Sequence, residues 1–295
     1  MKKYLFIGVV LFLFLFNVHV QAQSLPMYSQ YMANMVNINP AVVGQHADPN
    51  FTFLWREQWV GLQGSPSTKS FTFEQSANEG KMGLGVQLFE DKYVNYIKRS
   101  GVNLFYSIKV PVSENGSLRM GLKAGLYNDT KNLANAVSFQ SGDMAIANNL
   151  NNIVPLAGAG AFYEDKKFYL GVSVPDLITF SNTQSYRSDQ SLYQVNDVHF
   201  FVQSGYHFTV NDGLVIKPSM LLKSVKGAPM EIDINTNVWL ENKIGFGMSY
   251  RTSEAVLAMV ETKFLTSLRM GYAYDMPFKR PNSHEIYLRY AWKRK

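Results

Sequence analysis

The sequence predicts an all-β protein: a transmembrane, antiparallel, up-and-down β-barrel of about 14 strands, preceded by a cleaved signal peptide. Three observations carry that prediction. The first is the stretch Met230 to Glu241. Its even positions are Met230, Ile232, Ile234, Thr236, Val238 and Leu240; its odd positions are Glu231, Asp233, Asn235, Asn237, Trp239 and Glu241. A period of two gives a strand with one apolar and one polar face. Its length suits a tilted bilayer crossing, which takes about 9–11 residues. The second observation is that short turns and long joins alternate along the chain. The third is an N-terminal leader with no other span apolar enough for a membrane helix.

The leader is Met1 to Ala22. Lys2 and Lys3 supply a positive start, Tyr4 to Phe16 an apolar stretch, and Val20-Gln21-Ala22 compact residues at the cleavage site. The apolar run is shorter than the roughly 20 residues of a spanning helix. The mature chain is therefore expected to begin at Gln23. Residues 23–50 show little alternation and hold Pro26, Pro40, Pro49, Gly44 and several Asn. They read as an irregular periplasmic lead-in with a short helical turn near Tyr28 to Met35, plugging the barrel in part. Residues 51–295 form the barrel.

Strands follow in order. Phe51, Phe53 and Trp55 mark the first, Lys69 to Glu74 the second, and Met82 to Leu88 the third. Val102 to Val110, Leu118 to Leu126, Val154 to Tyr163 and Phe168 to Val174 come next. Then come Val198 to Val210, Leu214 to Leu222, Met230 to Glu241 and Ile244 to Tyr250. Val256 to Phe264, Leu268 to Met276 and Glu285 to Trp292 complete the set. Alternate joins are short, as at Asn78-Glu79-Gly80, Glu114-Asn115-Gly116 and Asn211-Asp212-Gly213, where the residues tolerate positive φ. Most intervening joins are longer: Trp59 to Ser67, Asp91 to Asn95, Asn128 to Asn152, Pro175 to Asn196, Val225 to Pro229 and Pro277 to Asn282. Short periplasmic turns and long outer loops are the habit of outer-membrane barrels. An aromatic-rich soluble sandwich is the alternative, and it gives no reason for loop length to alternate.

The polar face then lines the lumen, with Arg119, Lys123, Lys217, Lys223, Glu231, Asp233, Arg251, Glu261, Lys263, Arg269, Asp275, Glu285 and Arg289. Both signs occur, which favours a paired network over a wide single-sign channel. Phe89, Phe105, Phe201, Leu221 and Met259 fall on the same face, which points to a lumen partly filled by side chains.

Composition narrows the function. Aromatic residues make up 14% of the chain, with 17 Tyr and 20 Phe, and Tyr suits the membrane interface. The net charge of +6 is scattered apart from the two termini, so nucleic acid is not an expected partner. The absence of Cys excludes disulfides, thiolate metal sites and lipoprotein processing. No catalytic, cofactor or metal site is expected. His199 and His207 share a face but stand about 26 Å apart along a strand. His284 and Glu285 point to opposite faces, and no GxSxG occurs. The paired glycines, such as Gly83 and Gly85, lie in strands without the following helix that phosphate loops need. The two longest loops are the candidate recognition regions, with Phe139, Met144, Asp176, Tyr186 and Arg187 as candidate contacts.

Several blocks resemble the PorP/SprF family of Bacteroidota outer-membrane proteins. They are Met27-Tyr28-Ser29-Gln30-Tyr31-Met32-Ala33-Asn34, then Asn37-Ile38-Asn39-Pro40-Ala41 with Gly44, and Arg56-Glu57-Gln58-Trp59-Val60-Gly61-Leu62 followed by Gly64-Ser65-Pro66. Gly121 to Gly125, Leu170 to Leu177 and Ser283 to Ile286 extend the likeness. The resemblance implies a barrel of the type IX secretion system, set in outer-membrane lipid. Such a barrel would help export or surface-anchor a particular adhesin carrying a type B C-terminal sorting domain, would be linked to gliding motility, and would touch other secretion components. A passive or substrate-selective porin is the alternative. The family assigns no catalytic residues. Its motif residues here are Tyr28, Gln30, Tyr31, Asn39, Pro40, Gly44, Arg56, Gln58, Trp59, Gly61 and Pro66.

Overall fold

A computed structural model describes residues 28–132, 149–179, 198–225, 228–252 and 254–293. The expected signal peptide and the candidate contacts Phe139, Met144, Tyr186 and Arg187 lie outside them. The strands are β1 (Asn50–Glu57), β2 (Ser67–Ala77), β3 (Met82–Val94), β4 (Ile97–Pro111) and β5 (Ser117–Lys131). They continue with β6 (Leu150–Glu164), β7 (Phe168–Thr179), β8 (His199–Tyr206), β9 (Phe208–Asn211) and β10 (Leu214–Val225). β11 (Glu231–Leu240), β12 (Ile244–Arg251), β13 (Ala255–Thr262), β14 (Leu268–Pro277) and β15 (Ser283–Ala291) complete the ring.

Every neighbour pairing is antiparallel. β1 pairs with β15, and β10 with β11, so the sheet closes and no edge remains. β8 and β9 both pair with β10 and are two pieces of one strand, which leaves 14 positions round the barrel. The strand expected over Val198 to Val210 is thus interrupted at His207, whose N–H donates to the Lys167 carbonyl at 2.7 Å. Closure matters because a bilayer offers no partner for a free backbone N–H or C=O.

The wall is inverted relative to a soluble protein. Met248 is 67% and Leu122 61% exposed on the outside, while Arg251 and Glu285, at 1% and 0%, are buried inside. This is the pattern of a lipid-facing surface around a polar interior. Alternation along β11 obeys it residue by residue: Glu231, Asp233, Asn235, Asn237 and Trp239 are buried, and Ile234, Thr236 and Leu240 are exposed.

One end of the barrel carries only short turns. Asn78 and Glu79 take φ of 49° and 55°, and Glu241 and Asn242 take 49° and 52°, the handedness tight hairpins need. Asp165 caps another of these turns, its Oδ1 accepting from the N–H groups of Lys167 and Phe168 at 2.7 and 2.8 Å. These two bonds hold its carboxyl below the ordinary carboxylate range.

The opposite end differs from expectation in three places, the third being the start of the join after Pro175, where β7 runs on to Thr179. Asp91 to Asn95 is not a loop: β3 runs to Val94, β4 starts at Ile97, and Asp91 is buried on the inner face where it accepts from Thr68. Asn128 likewise belongs to β5, which reaches Lys131 before the chain returns at Leu150. Strand ends that rise clear of the lipid keep their ladder hydrogen bonds but lose the apolar outer residues that mark a strand in sequence.

Residues 28–49 lie inside the ring. They form three short 3-10 turns, Tyr31–Ala33, Met35–Asn37 and Pro40–Val42, rather than one helical turn. Pro40 sits at the start of the last, and the Asn39 side chain caps it by accepting from the Ala41 N–H at 3.0 Å.

Candidate functional site

The filled lumen is the feature that sets this barrel apart from an open pipe. Residues 28–49 run lengthwise through it, from the long-join end at Tyr28 to the short-turn end at Asn50. Inward apolar side chains of the wall receive the segment. Tyr31 and Ile38 pack on Phe201 and Leu221, Ala33 on Leu54 and Tyr287, and Ala41 and Val42 on Phe162 and Tyr169. Val36 and Val43 pack on Phe105. Phe105, Phe201, Leu221 and Met259 are buried on the inner face, and Phe89 is half-buried. Two wall glycines let the segment come close. A Cβ at Gly121 would stand 2.3 Å from the Ala41 Cα, and one at Gly83 2.0 Å from the Val43 carbonyl oxygen.

Polar contacts then tie the segment down on many sides of the ring. Asn34 donates to Thr72, Asn39 to the carbonyl of Ala161, and the hydroxyls of Ser173 and Ser107 donate to the carbonyls of Ile38 and Val43. Gly44, with φ of 70°, donates its N–H to Glu74 at 3.2 Å.

The strongest clasp is at the long-join end. Arg56 is 1% exposed and donates to Asp275 at 2.7 Å and to Glu285 at 3.3 Å. It also donates to the Ser29 hydroxyl, which passes its own proton toward Asp275 at 2.7 Å. Glu285 in turn accepts the backbone N–H groups of Ser29 and Gln30 at 2.8 and 2.7 Å. Beside it, Arg251 makes a two-pronged pair with Asp233, at 2.9 and 3.2 Å, and reaches the Tyr28 carbonyl at 3.5 Å. Lys223 bridges Glu231 and Asp233. Three buried cations therefore each have carboxylate partners, and two of those carboxylates, Asp275 and Glu285, also hold the segment's first residues; this is the arrangement in which a buried charge is tolerable.

The family-motif residues divide between this segment and the rim. Tyr28, Gln30, Tyr31, Asn39, Pro40 and Gly44 belong to the segment, and Arg56 to the clasp. Gln58, Trp59, Gly61 and Pro66 shape the join between β1 and β2. Gln58 donates its N–H to the Pro66 carbonyl, Trp59 takes φ of 50° and Gly61 φ of 98°. The Trp59 N–H donates to Ser283 at 3.1 Å, and Arg280 lies 4.2 Å over its ring.

Asp176 was expected in an outer loop. It is a β7 residue, and a bulge explains its position. Pro175 to Leu177 stand opposite Gly158 alone, so the chain turns Asp176 inward to accept from Lys123 at 2.7 Å. The clasp itself escaped sequence reading, because Arg56 and Glu285 lie 229 residues apart. The only signal was four charged residues, Arg56, Arg251, Asp275 and Glu285, on faces that alternation assigns to the interior. Among the described residues no group of three His, Cys, Asp or Glu side chains could hold a metal ion, and His284 faces outward onto the Tyr272 hydroxyl.

A closed, inverted 14-strand ring defines a membrane β-barrel, and solved outer-membrane barrels share the fold. A Pseudomonas aeruginosa FadL homologue aligns with a TM-score of 0.50 at 10% identity, covering 86% of this chain and 93% of its own. The Ralstonia pickettii toluene transporter TbuX aligns at 0.49 and 7%, covering 94% and 97%. Among curated proteins none matches the sequence. The profile of the type IX secretion system membrane protein PorP/SprF matches residues 20–290, and the chain belongs to that family. It is accordingly an outer-membrane protein of the type IX secretion system; barrels of this kind set their short turns in the periplasm.

Proposed function

We propose that this barrel is a non-enzymatic anchor or export partner for one secreted adhesin carrying a type B sorting domain, and that it serves gliding motility. Family membership supports a role in secretion. The observation that carries the anchor reading is the lumen itself: residues 28–49 occupy it along its length and are clasped by buried charge at the outer end. A barrel filled in this way serves as a rigid footing in the membrane. Recognition then falls to the outer joins, chiefly those between Lys131 and Leu150 and between Thr179 and His199. Other secretion components would meet its periplasmic turns.

The test compares surface and culture-medium proteins with and without the gene. Loss of one large adhesin from the surface supports a dedicated partner. Loss of every type IX cargo makes the barrel a general component, and no change in any secreted protein removes the anchor reading. Deleting both outer joins should leave membrane insertion intact and abolish adhesin retention. The porin reading draws on the mixed charge of the lumen. The intact chain in a planar bilayer separates the two, because a large stable conductance belongs only to the porin.

A further inference from the structure

The inner end of the lumen holds charge of a different kind. Arg269 on β14 and Arg289 on β15 are direct cross-strand partners, both on the inward face. Like charges directly opposite one another destabilise a sheet. A third cation joins them: Lys217 on β10 and Arg269 stand 5.4 and 4.7 Å over the same Trp239 ring. Among the described residues none of the three has a carboxylate within 4 Å. Arg289 donates to Nε2 of His46 at 3.0 Å, and its own Nε is buried without a partner. A guanidinium only donates, so that bond leaves His46 neutral and unable to balance the charge.

Two carboxylates act on the three cations from beyond contact distance, which leaves the cluster with one positive charge in excess. Glu261 accepts from the Tyr287 hydroxyl at 2.6 Å, and Glu74 from the Gly44 N–H. The three cations are only partly buried and lie toward the short-turn end of the lumen. Elsewhere in the lumen Arg56, Arg119, Lys123, Lys223 and Arg251 each have an acid partner. Unpaired cations forced together on a rigid wall are a cost without return unless an anion completes them.

We propose that Arg269, Arg289 and Lys217 form a binding site for a carboxylate-bearing ligand that enters from the periplasm. Guanidinium groups match the planar carboxylate with paired hydrogen bonds, and the Trp239 face backs the site. The ligand is either an acidic peptide segment or a small free polycarboxylate. The site stands independently of the adhesin-anchor reading, since it concerns the opposite end of the barrel.

Titration calorimetry on the full-length barrel in detergent tests this, with citrate in one arm and an Asp- and Glu-rich hexapeptide in the other. Saturable binding is expected in at least one arm, weakened about tenfold by Arg269→Gln or by Lys217→Gln and weakened by added salt. Lys243→Gln, on an outlying turn, should bind as the parent does. Tighter binding of the peptide assigns the site to a protein partner, and tighter binding of citrate to a free metabolite-like anion. The conservative Arg269→Lys variant should recover part of the binding, which a purely structural loss would not allow. Saturable binding in neither arm, or equal binding by parent and both neutral variants, overturns the proposal.

Discussion

The two ends of the lumen use the same residue types to opposite effect. At the outer end, Arg56 and Arg251 are 1% exposed, and each pairs with carboxylates of the wall, one of which also takes backbone N–H groups of residues 29 and 30. At the inner end, Arg269 and Arg289 face each other half-exposed, with a cation and an aromatic ring for company. A buried ion network holds shape only when fully partnered, since each orphaned ion carries its whole desolvation cost. A partly buried cation cluster with no carboxylate in contact is open to an anionic ligand. The difference teaches where this barrel is locked and where it is receptive.

Removing Arg56 should give the largest effect. Arg56→Ala leaves Asp275 and Glu285 buried against each other and frees Ser29, so a loss of about 3–5 kcal/mol is expected. Urea unfolding followed by the gel shift of the folded barrel reads it. A loss under about 1 kcal/mol would mean that the outer end is not locked by charge. A midway perturbation sharpens the comparison without touching any ion. Gly121→Ala pushes a methyl into the Ala41 backbone and should cost about 1–3 kcal/mol, with the filled segment loosened and bilayer conductance raised.

At the inner end, Arg269→Gln should stay within about 1 kcal/mol of the parent. Relief of the Arg289 repulsion, about 0.2–1 kcal/mol, offsets the lost contact with Trp239, about 0.5–1 kcal/mol. The same unfolding assay checks it, and a loss as large as that of Arg56→Ala would erase the distinction between the ends. Smallest of all, Lys243→Gln removes the exposed pair with Glu241 on a periplasmic turn, and no change in unfolding midpoint is expected.

The legible and illegible parts of this protein separate along physical lines. The membrane-crossing portions were legible because lipid on one side and water or a polar plug on the other impose a period of two, as on β11 and β12. Asp91 to Asn95 and Asn128 misled because strand ends above the lipid need no apolar outer face. Asp176 misled because a bulge reverses the side on which a residue emerges. Residues 28–49 have no period at all. Their 3-10 turns take shape from the wall, and their hydrogen-bond partners lie up to 256 residues away.

What the sequence by itself determined is the barrel: its strand count, its inverted faces, and the family to which it belongs. Alternating hydrophobicity and turn chemistry are local properties, and a closed antiparallel ring joins each strand to its neighbours in chain order. What only the tertiary structure decided is the inside. Which inward charges neutralise one another, which stand unpaired, and how the lead-in threads between them depend on strands meeting across the lumen. That encounter is set by ring closure and strand stagger, and no local pattern in the chain encodes it.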